Sequence, residues 1–236
     1  MHAVSALTLV SVQNTADFRQ VLPLEPELVR DQIDALLEDV RIVAVKTGML
    51  ATPEVAEVVA RVVGTGVLGD AVVDPVLATG SGGRAVDPAV DRHYRHTLFP
   101  AATVVTPNTV EAGLLLGAAV DTVDSAIAAA EALSWWGPQA VVVTGGRRRG
   151  DECVDVVRVA GRVELLSSPW VETPNVRGAG DTLSAAIAAR LALGDGLREA
   201  IRAAHRFTAV ALRRSAGWRI GSGQGPLDQF GAAISG

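Results

Sequence analysis

The residues with the clearest chemical potential are Gly178, Ala179, Gly180 and Asp181, where two glycines at G-x-G spacing run directly into an acidic residue. A run of small, helix-favouring residues follows, so the segment predicts a turn that opens a helix. The N–H groups of such a turn point at one spot, where the helix dipole favours an anion. Asp181 is then placed to accept a proton from a hydroxyl. An anion cradle beside a base is typical of phosphoryl transfer to an alcohol.

The same four residues also fit an ordinary helix that begins with an acidic first turn and has no function. A second chemical signature favours the functional interpretation. The chain contains 21 Lys plus Arg residues, and Lys46 is the single lysine among them. A compact ammonium has properties that the planar arginine side chain does not imitate. We therefore interpret Lys46 as a candidate functional cation.

Polar or flexible residues follow five predicted strands. In open parallel sheets, ligands bind beyond the carboxyl ends of the strands. We therefore expect these residues to share one rim with the glycine turn and to border an active site. The five groups are Gln13-Asn14-Thr15, Lys46-Thr47-Gly48, Asp74-Pro75-Val76, Thr106-Pro107-Asn108 and Thr144-Gly145-Gly146.

Strand and helix patterns alternate along the chain, which predicts right-handed crossovers and a parallel sheet. The expected fold is one α/β domain with a mostly parallel central sheet, helices on both faces and an antiparallel edge hairpin. The predicted strands are 5–12, 42–46, 71–74, 103–106 and 140–144, with the hairpin at 153–159 and 163–166. The predicted helices are 26–40, 52–63, 88–97, 109–116, 125–135 and 197–213, besides the one that follows the glycine turn.

Composition narrows the class of protein. Of 236 residues, 49% are hydrophobic and the net charge is −5, so a sizeable core is expected and a nucleic-acid partner is not. No apolar run approaches membrane-spanning length, and the start lacks a cationic leader. The single cysteine, Cys153, fits a reducing compartment and a core position. These features predict a cytoplasmic protein with no membrane partner.

Taken in order, these motifs resemble the ribokinase superfamily, and within it the hydroxymethylpyrimidine/phosphomethylpyrimidine kinases of thiamine biosynthesis. The more specific matches are Gln13-Asn14-Thr15 and the run from Lys46 to Leu50. The remaining segments are Val73-Asp74-Pro75-Val76, Thr106 to Ala112, Val143-Thr144-Gly145-Gly146, Gly178 to Ala186 and Gly223-Gln224-Gly225-Pro226. They cover nearly the whole chain.

The resemblance implies an ATP- and Mg²⁺-dependent kinase with a ribokinase-like fold, and it suggests a homodimer. At the phosphoryl end, Gly178, Ala179 and Gly180 would form the anion hole, with Asp181 as the base and Lys46 beside it. Glu111, with Asp74, would orient Mg²⁺. Asn108, Thr144 and Gly146 would border the nucleotide.

At the substrate end, the resemblance implies that Gln13 hydrogen-bonds the aminopyrimidine edge and that Met49 and Val76 line the ring pocket. Without the family, Met49 fits a core residue, Gln13 a polar group at a strand end, and Glu111 an acid in a first helical turn. Both interpretations remain open at this point.

The sequence departs from the family pattern in two places. Many pyrimidine kinases of this type carry cysteine where Asp181 stands, although the wider superfamily carries aspartate. Family members also begin with a strand, a glycine-rich turn and a helix, about 30 residues by the size of such a unit. The expectation is thus one kinase domain over 1–236, shortened at its N-terminus, with an unpaired strand edge where that unit would sit.

The leading hypothesis is phosphorylation of 4-amino-5-hydroxymethyl-2-methylpyrimidine, followed by phosphorylation of its monophosphate. A pyridoxal or sugar kinase of the same superfamily is the alternative among enzymes. A non-catalytic protein that binds pyrimidines or nucleotides is the alternative from another class.

Overall fold

The strands of the chain form two separate sheets. The structure is a computed structural model that describes residues 2–78 and 83–234, without the side chains of residues 146–149 and 233–234. An antiparallel ribbon pairs β1 (Leu9–Gln13) with β2 (Phe18–Pro23). The larger sheet has six strands in the order β3 (Ala44–Thr47), β4 (Asp70–Val73), β5 (Val104–Val105), β6 (Ala140–Arg149), β7 (Glu152–Val159) and β8 (Arg162–Pro169).

The larger sheet has the expected mixture of strand directions. β3 to β6 run parallel, while β7 and β8 add an antiparallel edge hairpin. Alternate strand residues point to opposite faces, so Val73 and Val105 pack in one core cluster and Val72 and Val104 in the other. The predicted α/β class with helices on both faces is therefore confirmed.

Helices cover both faces of this sheet. The longer helices are α1 (Pro26–Asp39) and α2 (Pro53–Gly64) before β5, then α5 (Thr109–Leu116) and α6 (Val123–Ser134), and finally α7 (Ala179–Ala192), α8 (Leu197–Ser215) and α9 (Gln229–Ile234). A continuous helical stretch joins β4 to β5 through a 3₁₀ turn (Pro88–Val90), α3 (Asp91–His93), a π turn (Tyr94–Leu98) and α4 (Phe99–Ala101). In the described part of the chain, no helix combines the length and apolar character that crossing a bilayer requires.

The prediction placed the first strand in the central sheet and was wrong, because β1 pairs only with β2 in the separate ribbon. The reason is a tight turn after β1 that the polar sequence 14–17 encodes. The side-chain oxygen of Asn14 accepts the N–H groups of Ala16 and Asp17, at 2.9 and 2.8 Å. Such an Asx turn reverses the chain, and β2, which the sequence reading missed, pairs back on β1. β6 also continues to Arg149, beyond the predicted end at 144.

β3 is an edge strand of the larger sheet, and an apolar groove of about 470 Å³ runs along it. One wall comes from α1 and α2, the other from α7, and residues 2–6 close the side. Leu36, Val43, Val45, Ala185 and Ala189 are among the lining residues. That this edge pairs with a further strand stays a prediction.

Candidate active site

The start of α7 is fixed by Gly178, its N-cap residue, which has a left-handed φ of 81°. A side chain disfavours that conformation, so Gly178 sets the turn that opens the helix. Gly180 has no such requirement, because a Cβ added there would have no other atom within 4 Å. Packing therefore leaves Gly180 free to change, whereas a ligand that approaches the first-turn N–H groups would need the open space.

Lys46 joins two carboxylates at the carboxyl edge of the sheet. Its Nζ lies 2.6 Å from Oδ1 of Asp181, in the first turn of α7, and 3.6 Å from Oδ2 of Asp74, directly after β4. Gly48 leaves room for the ammonium, since a Cβ there would lie 3.3 Å from Nζ. The Asp181 side chain is 66% exposed and that of Asp74 only 5%. A ligand can therefore reach Asp181, while the buried Asp74 helps to hold the Lys46 ammonium in place.

Asp74 is held by Ser184, whose Oγ donates a hydrogen bond to Oδ2 at 3.0 Å. Burial raises the pKa of Asp74 to about 6, and the negative charge of Asp181 adds to the rise, although the Lys46 ammonium lowers it. Desolvation thus outweighs the attraction of the ammonium. Asp74 is a buried acid whose charge is only partly compensated.

Glu111 is a second buried carboxylate and forms the capping box that starts α5. The Oδ1 of Asn108 accepts the N–H of Glu111, and Oε2 of Glu111 accepts the N–H of Asn108, both at 2.9 Å. Burial, to which the charge of Asp74 adds, raises the pKa of Glu111 to about 8. The charge of Asp74 therefore disfavours ionisation of Glu111, and a bound cation would relieve that effect.

These acids fit a site that holds a divalent cation through few protein ligands. Within the described ranges, no cluster of three or more His, Cys, Asp or Glu side chains is gathered for a metal. Mg²⁺ is commonly bound by one or two carboxylates together with water and substrate phosphates. Asp74 and Glu111 match that donor set.

Two of the predicted nucleotide-side residues lie together, Asn108 after the end of β5 and Thr144 within β6. Asn108 and Thr144 pair in a parallel bridge, and the N–H of Thr144 donates to the carbonyl of Pro107 at 2.9 Å. Gly145 has a φ of 109°, and a Cβ there would lie 3.1 Å from Oγ1 of Thr109. The predicted contact of Gly146 falls in 146–149, outside the residues whose surroundings are described.

Gln13 is drawn to the N-terminus of α7 by Arg177, the residue before Gly178. Nη1 of Arg177 donates to Oε1 of Gln13 at 2.6 Å, and Nε2 of Gln13 donates to Oγ of Ser11 at 3.0 Å. Both ends of the Gln13 amide are therefore engaged within the chain. Reading a pyrimidine edge would require at least one of these bonds to exchange.

The closing glycine-proline motif fastens this region. The N–H of Arg177 donates to the carbonyl of Gly225 at 3.1 Å, and the N–H of Gln224 donates to that of Thr15 at 2.9 Å. The loop before α7 and the turn after β1 are thus tied to the same C-terminal segment. This explains how residues so distant in sequence come to share the site.

Met49 and Val76 are both half-buried at the ends of their strands. Met49 packs against the larger core cluster, and its carbonyl accepts a hydrogen bond from Oγ1 of Thr8 at 2.9 Å. The core interpretation of Met49 therefore holds at least in part. The remaining exposed surface of both residues leaves their role as pocket walls a prediction.

The sequence reading gave no role to Arg177, Ser184 or Tyr94. Arg177 precedes the glycine pair directly, and Ser184 lies three residues after Asp181, one helical turn away; those positions were the available signals. The sequence offers no signal for Tyr94, because its approach to Asp74 and Glu111 depends on the irregular helical stretch that contains it. Burial, together with the charges of Asp74 and Glu111, raises the pKa of Tyr94.

Comparison with known proteins places this chain in a family of kinases. The sequence model described as phosphomethylpyrimidine kinase matches residues 1–228. The hydroxymethylpyrimidine/phosphomethylpyrimidine kinase of Synechococcus elongatus is 38% identical over 231 residues, which are 98% of this chain and 87% of that protein. An ADP complex of Bacillus subtilis pyridoxal kinase superposes with a TM-score of 0.87 at 34% identity, covering 95% of this chain and 85% of that one.

A phosphomethylpyrimidine kinase structure from Clostridium difficile 630 superposes less closely. Its TM-score is 0.77 at 29% identity, with 89% of this chain and 87% of that chain covered. The fold is therefore shared by kinases named for pyrimidine and for pyridoxal substrates.

Proposed function

The chain belongs to the phosphomethylpyrimidine kinase family, and we propose that it phosphorylates 4-amino-5-hydroxymethyl-2-methylpyrimidine and then its monophosphate in thiamine biosynthesis, with ATP as donor. The observation that carries the proposal is the exposed Asp181 carboxylate in the first turn of α7, 2.6 Å from the Lys46 ammonium. Base, cation and helix N-terminus thus meet at one accessible point.

In the first step, Asp181 accepts the proton of the substrate hydroxymethyl group. The hydroxyl oxygen forms a bond to the γ-phosphorus of ATP, the bond from that phosphorus to the β,γ-bridging oxygen breaks, and ADP leaves. The N–H groups of Gly178 and Gly180 offer hydrogen bonds to the transferring phosphoryl group, in the manner of an anion hole. The N–H of Ala179 donates to the carbonyl of Val176 at 3.2 Å and would have to exchange that bond to join them. Lys46 neutralises charge that gathers between Asp181 and the phosphates.

The nucleotide and metal roles follow the donor groups available. Asn108 and Thr144, which pair in a parallel bridge, would border ATP together with Gly146. Asp74 and Glu111 would hold Mg²⁺, which supplies charge neutralisation at the phosphates when bound. Gln13, Met49 and Val76 would contact the pyrimidine.

The test is product formation from each pyrimidine. The chain is incubated with ATP, Mg²⁺ and either the alcohol or its monophosphate, and the products are separated by chromatography. A second version carries, before Met1, the strand–turn–helix unit that the family resemblance implies. We expect the monophosphate and diphosphate to form, and absence of both products with both versions would refute the proposal.

Pyridoxal is the second candidate substrate, because the Bacillus subtilis pyridoxal kinase superposes with a TM-score of 0.87. A panel of pyrimidine, pyridoxal and ribose at equal concentrations separates the candidates. We expect the pyrimidine to give the highest kcat/KM. Faster turnover of pyridoxal would reverse the ranking while leaving the kinase assignment intact.

We further propose that residues 1–236 act as one kinase domain whose β3 edge receives an additional strand. The free edge and the 470 Å³ apolar groove beside it offer backbone hydrogen bonds and an apolar surface that a strand–turn–helix unit would cover. The extended version described above should therefore unfold at a higher temperature than the chain alone.

A homodimer in the cytoplasm completes the proposal. On the β1–β2 ribbon, Val10 and Leu22 form a cross-strand pair and are 50% and 59% exposed, with Val12 on the same face at 51%. An isolated two-stranded ribbon needs a partner surface for stability. Sedimentation should show a dimer that L22E weakens; a monomer at all concentrations would refute this part.

A further inference from the structure

Arg177, the residue before the N-cap of α7, uses only part of its hydrogen-bonding capacity among the described residues. Its Nη1 donates to Gln13, while its Nε is buried and has no hydrogen-bond partner among the described residues. A buried donor without a partner is costly and needs an explanation, such as a ligand that the site expects. The guanidinium therefore retains donors for an incoming group.

The position of Arg177 selects the kind of group. It lies between Gln13, at the end of β1, and Gly178, the N-cap of α7. The N–H groups of that helix start already favour an anion. The planar guanidinium adds a fixed fork of donors that matches phosphate oxygens in two-point contacts. The backbone of Arg177 is held by the carbonyl of Gly225, so the side chain starts from a fixed point.

The two proposed reactions differ in what this region must bind. The first acceptor is a neutral alcohol, whereas the second is a phosphate monoester with nearly two negative charges at neutral pH. In the second step, an oxygen of that monoester forms the bond to the γ-phosphorus of ATP. The bond from the γ-phosphorus to the β,γ-bridging oxygen breaks, and ADP leaves. Two anionic groups must then approach each other, and a cation beside them lowers the repulsion.

We propose that Arg177 binds the phosphate of the monophosphorylated acceptor and so determines the second phosphorylation. The inference rests on the proposed function. The guanidinium exchanges its bond with Gln13 for the phosphate, and the released amide oxygen of Gln13 becomes available to the ring. The first phosphorylation, which has no acceptor phosphate, does not require this contact.

The competing explanation is that Arg177 only positions Gln13. The two explanations make different predictions because the pyrimidine ring is common to both acceptors. Loss of a residue that merely orients Gln13 would impair both steps alike. Loss of a phosphate ligand would impair only the step whose acceptor carries phosphate.

The experiment compares kcat/KM for the alcohol and for its monophosphate in R177Q, R177K and a matched control, R206Q. Arg206 lies on α8 in an exposed ion pair with Glu199. For R177Q, we expect a loss of about 10- to 100-fold with the monophosphate, the range for one charge-assisted contact, and a change below about 3-fold with the alcohol. R177K should recover part of the loss, because it restores the charge without the fork.

Equal losses with both acceptors, or no loss with either, would overturn the assignment. Thermal unfolding of each variant shows whether a loss with both acceptors comes from a damaged fold. If R177Q does not fold, the two kcat/KM values are compared in R177K instead. If the wild-type protein phosphorylates neither compound, the proposed function fails and this inference with it. If the wild-type protein phosphorylates both and R177Q matches it, only the role of Arg177 fails.

Discussion

Replacing Gly180 by alanine separates function from stability at the centre of the site. An alanine Cβ would meet no other atom within 4 Å, and the residue lies inside α7, whose range is Ala179–Ala192. Alanine has a higher helix propensity than glycine by up to about 1 kcal/mol. The first-turn position reduces that benefit, so we expect G180A to gain roughly 0.5 kcal/mol and about 1–2 °C in Tm.

Activity should change in the opposite direction. The new methyl group would occupy the open space above the first-turn N–H groups, where the transferring phosphoryl group must approach. Loss of one such donor lowers kcat by about 10²–10³-fold in acyl-transfer enzymes. We expect G180A to lower kcat by a similar factor, which corresponds to a loss of about 2.7 to 4 kcal/mol of transition-state stabilisation.

The assay pairs differential scanning calorimetry with a coupled ADP-release assay. Gly64→Ala is the matched control, because Gly64 ends α2, away from the site, and its added Cβ would also meet no atom within 4 Å. G64A should be stabilised with unchanged turnover. A G180A protein that is stable and retains turnover within about 3-fold of wild type would refute an anion hole at this helix start.

Two further predictions concern the carboxylates. D181N should lower the rate of the first phosphorylation by about 10²–10⁴-fold. It should lower the rate of the second much less, because a monoester whose second pKa is about 6 is already ionised at pH 7.5 and needs no base. Equal losses of both rates, measured by product chromatography, would contradict Asp181 as the base. Because Glu111 has a folded-state pKa of about 8 against an ordinary 4.5, its protonated native state contributes stability below pH 4.5 that is lost as pH rises to 8. E111Q should therefore gain stability relative to wild type across that window, by at most about 1.4 kcal/mol per pH unit, and a constant difference in urea titrations would contradict the shift.

The architecture was accessible from sequence because its signals are local. The apolar run at 71–74 predicted a strand in a sheet covered on both faces, and Val72 and Val73 are buried on its opposite faces. The asparagine cap of α5 and the glycine turn of α7 likewise act through their own sequence neighbours. Such features do not depend on what the rest of the chain does.

The first strand shows where local reading fails. Of the predicted strand 5–12, residues 9–12 belong to β1 and residues 5–8 lie outside any strand. The partner of β1 was decided by the Asx turn at Asn14 and by pairing with β2. Propensity reports an extended conformation and not the sheet that receives it. The contact between Gln13 and Arg177, which are 164 positions apart, was equally inaccessible. Nothing in the sequence around either residue indicates the other as its partner.

The geometry gives a physical reason for the single lysine in a chain that otherwise uses arginine. Its ammonium lies within 3.6 Å of both Asp74 and Asp181, with the backbone of Gly48 close behind it. A point charge with freely rotating donors can face two carboxylates that differ in burial, whereas a planar fork is matched to a single one. Arginine would also bring a larger head into the space left open by the missing Cβ of Gly48. The composition alone marked Lys46 as unusual; the two carboxylates show what the ammonium is needed for.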